Sequence, residues 1–350
     1  ISLILIVLIL GSVANAQFFH KKCRALVLEG GGDKGAYQVG GIRGLIENMP
    51  AEESKYDVIS GVSIGAINAV GFSFFKKGKE LEASQFLIDF WGELSADVVY
   101  SNWPGYVIEG AFWRNGFYNN TRFVDFLKDY VHFEKIERKV VIGATNAKTG
   151  KFVRFTEAVG RDELMFDATR ASSAFPGFFQ SVEYRNMTLI DGGVILNLDI
   201  SGAVERCKEL GVKDKDIILD IVMCSGNVLP DAEPKNFNAL QMFRRFFQIN
   251  SYQKTMGYIT TGKANFPHVN FRYVVAPSSP VSKEFVPLGF KQKDIQKMIK
   301  LGYEDAKKVV EMGVGTMSDH LTQYYSEATM AGFEEFQDET FDEYLVRVDL

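Results

Sequence analysis

Tyr56-Asp57-Val58-Ile59-Ser60-Gly61-Val62-Ser63-Ile64-Gly65 decides the fold of this chain. An extended run from Tyr56 to Ser60 stops at Gly61, and an apolar, helix-like run from Ile64 to Phe75 begins almost at once. Ser63 stands on the corner between them. In a Gly-x-Ser-x-Gly turn, Gly61 and Gly65 let strand and helix approach closely, which lifts the serine hydroxyl clear of both. The helix N-terminus aims its unpaired N–H groups at the same place, where an anionic oxygen forms during acyl transfer. Alone, the pattern describes a nucleophile or an ordinary serine in a βα turn equally well. The rest of the chain favours the nucleophile.

Upstream, Arg24 to Leu28 reads as a short buried strand, broken by Glu29-Gly30-Gly31-Gly32-Asp33-Lys34-Gly35. Ala36 to Asn48 then reads as a helix with Val39, Ile42, Leu45 and Ile46 on one side. Two successive strand–turn–helix units predict an α/β fold, a three-layer α/β/α sandwich around a mainly parallel sheet. Downstream, the spacing predicts helices over 79–96, 121–133, 200–210, about 237–259 and 294–312. Strands are expected over 187–190, 217–223 and 269–275, with a hairpin joining 139–145 to 151–156. The aromatic stretch with Trp103-Pro104-Gly105-Tyr106 and Phe112-Trp113 reads as a loop. No repeat or low-complexity linker divides the chain. The expected organisation is a leader over 1–16, a catalytic core over 24–205, and a continuation over 206–350 packed on that core and ending in an acidic tail.

Gly30 to Gly35 matches Gly-x-Gly-x-x-Gly between a strand and a helix, the setting of a dinucleotide fingerprint. The other reading is an oxyanion hole, because adjacent glycines leave successive N–H groups bare. One such donor is typically worth ~10²–10³ in turnover. No strand-end acid follows about 20 residues later to hold a ribose, which favours the second reading. A further motif, Asp191-Gly192-Gly193, closes a predicted strand. Beside the other two motifs, Asp191 becomes the expected base for Ser63. Of the four histidines, His20, His132, His268 and His320, only His268 is a serious candidate for a Ser-Asp-His variant.

In this order, the three motifs resemble those of the patatin-like phospholipase family: a Gly-Gly-Gly-x-Arg/Lys-Gly loop, a Gly-x-Ser-x-Gly elbow and an Asp-Gly-Gly or Asp-Gly-Ala turn. The block Ala171-Ser172-Ser173-Ala174-Phe175-Pro176 is similar to the family's as well, and the likeness runs from about Ala25 to Glu205. The resemblance implies a patatin-like fold and a lipid acyl hydrolase with a Ser63–Asp191 dyad, using neither histidine, metal nor cofactor. It implies a phospholipid or other glycerolipid substrate, an oxyanion loop of Gly30, Gly31, Gly32 and Gly35, and transient membrane-surface contact. Phe175, Phe178 and Phe179 are placed to line an acyl slot, with core packing as the equal alternative. Met242-Phe243-Arg244-Arg245-Phe246-Phe247 reads as a helix with one buried face and one solvated basic edge, touching an anionic interface being the other reading. Two other classes stay open: a nucleotide-binding protein, and a storage or interaction protein on the same scaffold.

Composition agrees with a large enzyme-like core. The chain has 350 residues, 46% of them hydrophobic, and a net charge of −5 with no long basic run, which gives no attraction to nucleic acid. Ile1 to Leu10 is apolar apart from Ser2 and leads into Gly11-Ser12-Val13-Ala14-Asn15-Ala16, so a signal peptide cleaved after Ala16 and a secreted or lumenal location are expected. Sequons at Asn119-Asn120-Thr121 and Asn186-Met187-Thr188 agree with that. Cys23, Cys207 and Cys224 allow one disulfide at most.

Overall fold

The structure, a computed structural model, describes residues 21–130, 135–159, 162–226, 229, 232–281, 288–323 and 325–326. The leader over 1–16 and the acidic tail from Glu327 therefore lie outside the described residues. β1 (Cys23–Leu28) and β2 (Val58–Val62) form the centre of an eight-stranded sheet, each followed by a helix, α1 (Gly35–Asn48) and α2 (Ile64–Ser73). All five residues of β2 are buried, the pattern of a strand covered on both faces. Along β1 the side chains alternate between two cores: Leu26 and Leu28 enter one, Cys23, Ala25 and Val27 the other.

The first core packs under α1, α2 and α3 (Glu80–Glu93); the chain then passes through an aromatic helix, α4 (Tyr106–Trp113), to α5 (Thr121–Tyr130), whose Phe123 and Leu127 join the same core. The loop expected around Phe112 is thus a helix. It carries apolar residues on all sides, so no polar face gives it a readable period. β3 (Lys139–Asn146) pairs parallel with β2 and antiparallel with β4 (Lys151–Thr156). α6 (Asp162–Ser172) and the short β5 (Val182–Tyr184), neither expected from the sequence, lead to β6 (Met187–Asp191).

The second core lies on the opposite face, under α7 (Ile200–Lys208) and the long α8 (Ala239–Asn265). After each of these helices the chain returns to the sheet. β7 (Ile217–Val222) pairs parallel with β1, and β8 (Asn270–Val275) pairs parallel with β7. α9 (Gln292–Met312) crosses back to pack on α1 on the first face. The result is three layers around a mainly parallel sheet in the order β5-β6-β3-β2-β1-β7-β8, with β4 beside β3. Residues beyond 205 supply two strands of that sheet. A disulfide joins buried Cys23 of β1 to buried Cys207 of α7, and Cys224 is a buried thiol.

One strand positions the site. β3 pairs with β4 along Val141 to Asn146, which occupies one of its edges. Its other edge meets β2 as far as Val62 opposite Gly143, then β6 from Asp191 opposite Ala144. β6 takes up the edge where β2 leaves it.

Candidate active site

Ser63 occupies the corner between β2 and α2 with φ 56° and ψ −126°, a backbone that L-residues rarely adopt. The corner is tight: a Cβ on Gly61 would run into the Gly65 carbonyl, and one on Gly65 into the carbonyls of Leu28 and Glu29. Only glycine on both sides permits this turn. The partly exposed Ser63 hydroxyl donates to Asp191 Oδ2 across 2.6 Å. Ser172, from α6, fastens the corner; its hydroxyl accepts from Ser63 N–H at 2.9 Å and donates to the Gly143 carbonyl at 2.6 Å.

Asp191 is 3% exposed. Its second oxygen, Oδ1, accepts from Gly193 N–H at 2.7 Å, and its own N–H donates to the Ala174 carbonyl at 3.0 Å. Gly192 lies flat against the Gly143 carbonyl and Val62, where a side chain has no room. Burial pushes the Asp191 carboxyl up to about 7, against the opposing pull of the Ser63 and Gly193 hydrogen bonds. A carboxylate with that proton affinity is matched to taking a proton near neutrality.

The glycine loop after β1 lies directly over the serine: a Cβ on Gly30 would stand 2.8 Å from Ser63 Cβ. The amides of its glycines are not equivalent. Gly30 N–H donates to the Asn197 carbonyl at 3.0 Å, and Gly35 N–H turns back onto the carbonyls of Gly32 and Asp33. These two glycines serve close approach, Gly30 against Ser63 and Gly35 against Ile64 and Trp91; the expected donor role is not open to their N–H groups. Among the described residues nothing accepts from Gly31 N–H, and Gly32 opens a helical turn, where the N–H has no intrahelical acceptor.

The sequence profile of the patatin-like phospholipase family matches residues 26–204, about half of the chain and the part that carries all three motifs. This chain belongs to the patatin-like phospholipase family. It is 26% identical over 243 residues to human calcium-independent phospholipase A2-gamma, covering 61% of this chain and 29% of that protein. It is 26% identical over 196 residues to the cGAMP-activated phospholipase of Escherichia coli, covering 50% of this chain and 53% of that one. Among solved structures, human GIVD cytosolic phospholipase A2 superposes with a TM-score of 0.46 at 9% identity, over 87% of this chain and 60% of that one. The chain spans about a quarter of the length of the A2-gamma relatives it matches.

In this patatin-like chain, the His268 alternative fails on geometry. His268 is exposed two residues before β8, at the N-terminal end of the parallel strands, whereas Ser63 follows the C-terminal end of β2. His320 neighbours Asp319, whose carboxylate pairs with Lys263 near the start of β8. His20 and His132 lie outside the described residues. Of the three phenylalanines, Phe179 is buried in the core, while Phe178 is half-buried and stacks on the exposed Phe175 at 5.1 Å.

Several groups that hold the site carry no sequence signal. Asn197 Nδ2 donates to the Gly30 carbonyl at 3.0 Å and to Glu29 Oε1 at 3.3 Å, tying the loop after Asp191 to the loop above Ser63. Glu29 is fully buried, and its carboxylate collects donors from three segments. Oε2 accepts from the N–H groups of Cys224 (2.6 Å) and Ser225 (2.9 Å); Oε1 accepts from the hydroxyls of Ser225 (2.9 Å) and Thr255 (2.6 Å). Ser172 lies within the Ala171–Pro176 block, yet nothing local to it says that it grips the elbow.

Proposed function

We propose that the protein is a lipid acyl hydrolase that cleaves fatty acyl esters of phospholipids or other glycerolipids through a Ser63–Asp191 dyad. The observation that carries this reading is the 2.6 Å contact between Ser63 Oγ and Asp191 Oδ2 on a strained corner, with bare amides of the glycine loop above it. Membership of a phospholipase family, and the names of the relatives, support the lipid as substrate.

The steps follow from the groups present. Asp191 takes the hydroxyl proton as Ser63 Oγ attacks the ester carbonyl, and the carbonyl oxygen gains the negative charge. The N–H groups of Gly31 and Gly32 hold that charge. As the tetrahedral species collapses, the proton passes from Asp191 to the departing alcohol oxygen and an acyl-serine ester remains. Asp191 then takes a proton from water, whose oxygen attacks the acyl-serine; collapse releases the fatty acid, and the proton returns to Ser63 Oγ. The buried Cys23–Cys207 disulfide supports residence in an oxidising compartment, as the expected leader does.

The test is fluorophosphonate labelling beside fatty acid release from a panel of lipid esters. Ser63→Ala should abolish labelling, and Ser63→Ala or Asp191→Asn should lower turnover by roughly a thousandfold or more. His268→Ala should leave turnover close to wild type. Full activity in Asp191→Asn would reject the dyad.

A further inference from the structure

α8 is two structures in one helix. Its C-terminal half is docked on the second core through Tyr252, Met256 and Ile259, with Thr255 bonded to Glu29 and the Tyr258 hydroxyl donating to the Ile195 carbonyl at 3.2 Å. In its N-terminal half the large apolar side chains are exposed. Leu240 is 71% exposed, Phe243 and Phe246 are each 53% exposed, and Met242, Phe247 and Ile249 are exposed as well. The buried face expected for this stretch is absent. This exposed end is a formed helix: Asn238 accepts from Gln241 N–H and Gln241 returns the bond to Asn238 N–H, both at 2.9 Å.

The charge of this helix is unlike that of the chain. Ala239 to Asn265 contains Arg244, Arg245, Lys254 and Lys263 and no acidic residue, in a protein with 44 acids and a net charge of −5. Aromatic rings interleaved with arginines match the boundary between acyl chains and anionic headgroups, where rings insert and guanidinium groups reach phosphate. Self-association fits worse. A two-fold pairing sets a patch against its own copy, and Arg244 and Arg245 would then face the same cations. Among the described residues no helix is long and apolar enough to cross a membrane. Other exposed apolar side chains gather near the site: Phe175, and Val194 and Ile195 just past Asp191.

We propose that the N-terminal half of α8 seats the enzyme on an anionic lipid surface, Phe243, Phe246 and Phe247 entering the acyl boundary and Arg244 and Arg245 binding phosphate. Phe247 precedes Thr255 by eight residues, about 12 Å along the helix axis. The surface-seated segment thus leads straight to the carboxylate beneath the oxyanion loop. This inference rests on the lipid-hydrolase reading for its purpose, but its test does not.

Vesicle sedimentation of the full chain in a Ser63→Ala background separates binding from hydrolysis. Phosphatidylcholine vesicles are compared with phosphatidylcholine–phosphatidylglycerol vesicles, with light scattering for the oligomeric state and hydrolysis of a soluble short-chain ester, in the Ser63 background, as the folding control. The expected result is binding that favours the anionic vesicles. Arg244→Gln with Arg245→Gln should erase that preference, by roughly fivefold per cation, and Phe246→Ser with Phe247→Ser should lower binding to both vesicles by at least about tenfold. Both pairs should keep soluble-ester turnover. The proposal is overturned if the parent does not sediment, if either pair binds as the parent does, or if the parent is a dimer that Phe246→Ser with Phe247→Ser dissociates without loss of vesicle binding. Absence of soluble-ester turnover in the wild type, with vesicle binding intact, would instead sink the hydrolase reading alone.

Discussion

Asp191 lies opposite Ala144 and Val62 opposite Gly143, so neighbouring residues of one strand set the Asp191 carboxylate beside Ser63, although the two side chains are 128 positions apart. The contact needs no mobile loop to form it. β3 acts as a ruler, and a one-residue slip of either partner strand would turn its side chains to the opposite face. Ser172 holds the same joint from above the sheet by bridging Ser63 N–H to the Gly143 carbonyl.

Under the proposed dyad, that arrangement sets the pH dependence. Asp191 must be ionised to take the serine proton, and burial pushes its carboxyl up to about 7. Hydrolysis of a soluble ester should therefore fall about tenfold for each unit of pH below 6 and level off above 8, with one apparent midpoint near 7 in kcat/KM. A midpoint near 4 would mean a solvated carboxylate and would rule out the buried base.

The same burial affects stability, with a sign opposite to that of most aspartates. The folded chain holds the Asp191 proton more tightly than the unfolded chain, so this contribution is fully present below the model-peptide value of 3.8 and is lost as pH rises through about 7. Asp191→Asn removes the ionisation while keeping the shape of the group. Relative to wild type, it should gain about 2–3 kcal/mol between pH 5 and pH 8 in urea unfolding. An equal effect at both pH values would contradict the shifted carboxyl.

Much of this was legible in the chain because glycine marks it. Gly30 to Gly35 and Gly61 to Gly65 each close a strand and open a helix, so both βα units, the parallel sheet and the Ser63 corner could be read locally. What could not be read depends on non-local pairing. Nothing near Asp191 says that β6 shares an edge of β3 with β2, and nothing near Glu29 says that Cys224, Ser225 and Thr255 arrive there from β7's end and from α8. Gly30 and Gly35 were expected to donate because motif spacing does not reveal which amides are already bonded. The exposed end of α8 escaped because its apolar residues imply a buried face, whereas Leu240, Phe243 and Phe246 are more than half exposed.

Backbone strain at Ser63 has a measurable counterpart. A residue held at φ 56°, ψ −126° costs on the order of 1–3 kcal/mol, and glycine relieves it at an entropic cost of roughly 0.5–1 kcal/mol. Ser63→Gly should therefore be more stable than Ser63→Ala by about 1 kcal/mol, with both inactive. A glycine variant less stable than the alanine variant would show that the corner is not strained.

The Cys23–Cys207 disulfide ties the central strand to α7 across 184 positions. Closing so long a loop in the unfolded chain should contribute about 2–5 kcal/mol. Reduction, or replacement of both cysteines by alanine, should lower the midpoint of thermal unfolding by several degrees. Buried Cys224 should resist alkylation in the native protein and react only on unfolding. A midpoint unmoved by the double replacement would mean that the bond adds nothing to the fold.

Glu29 gives the sharpest test of how the oxyanion loop is held. Its oxygens accept from two backbone N–H groups, two hydroxyls and the Asn197 amide. In Glu29→Gln the new NH₂ is best placed against the hydroxyls of Ser225 and Thr255, which can rotate to accept, while the amide oxygen keeps the backbone donors. The interaction that cannot be rescued is the one with Asn197 Nδ2, where donor would face donor. Stability should fall by about 1–3 kcal/mol, because most of the network survives. Asn197 also fixes Gly30 through its carbonyl and its amide, so the amides above Ser63 lose their register. Turnover of a soluble ester should drop roughly tenfold with KM little changed, since the oxyanion exists only along the reaction path. A proportionate rise in KM instead would place Glu29 in ground-state binding, and unchanged turnover would show that the loop holds its shape without it.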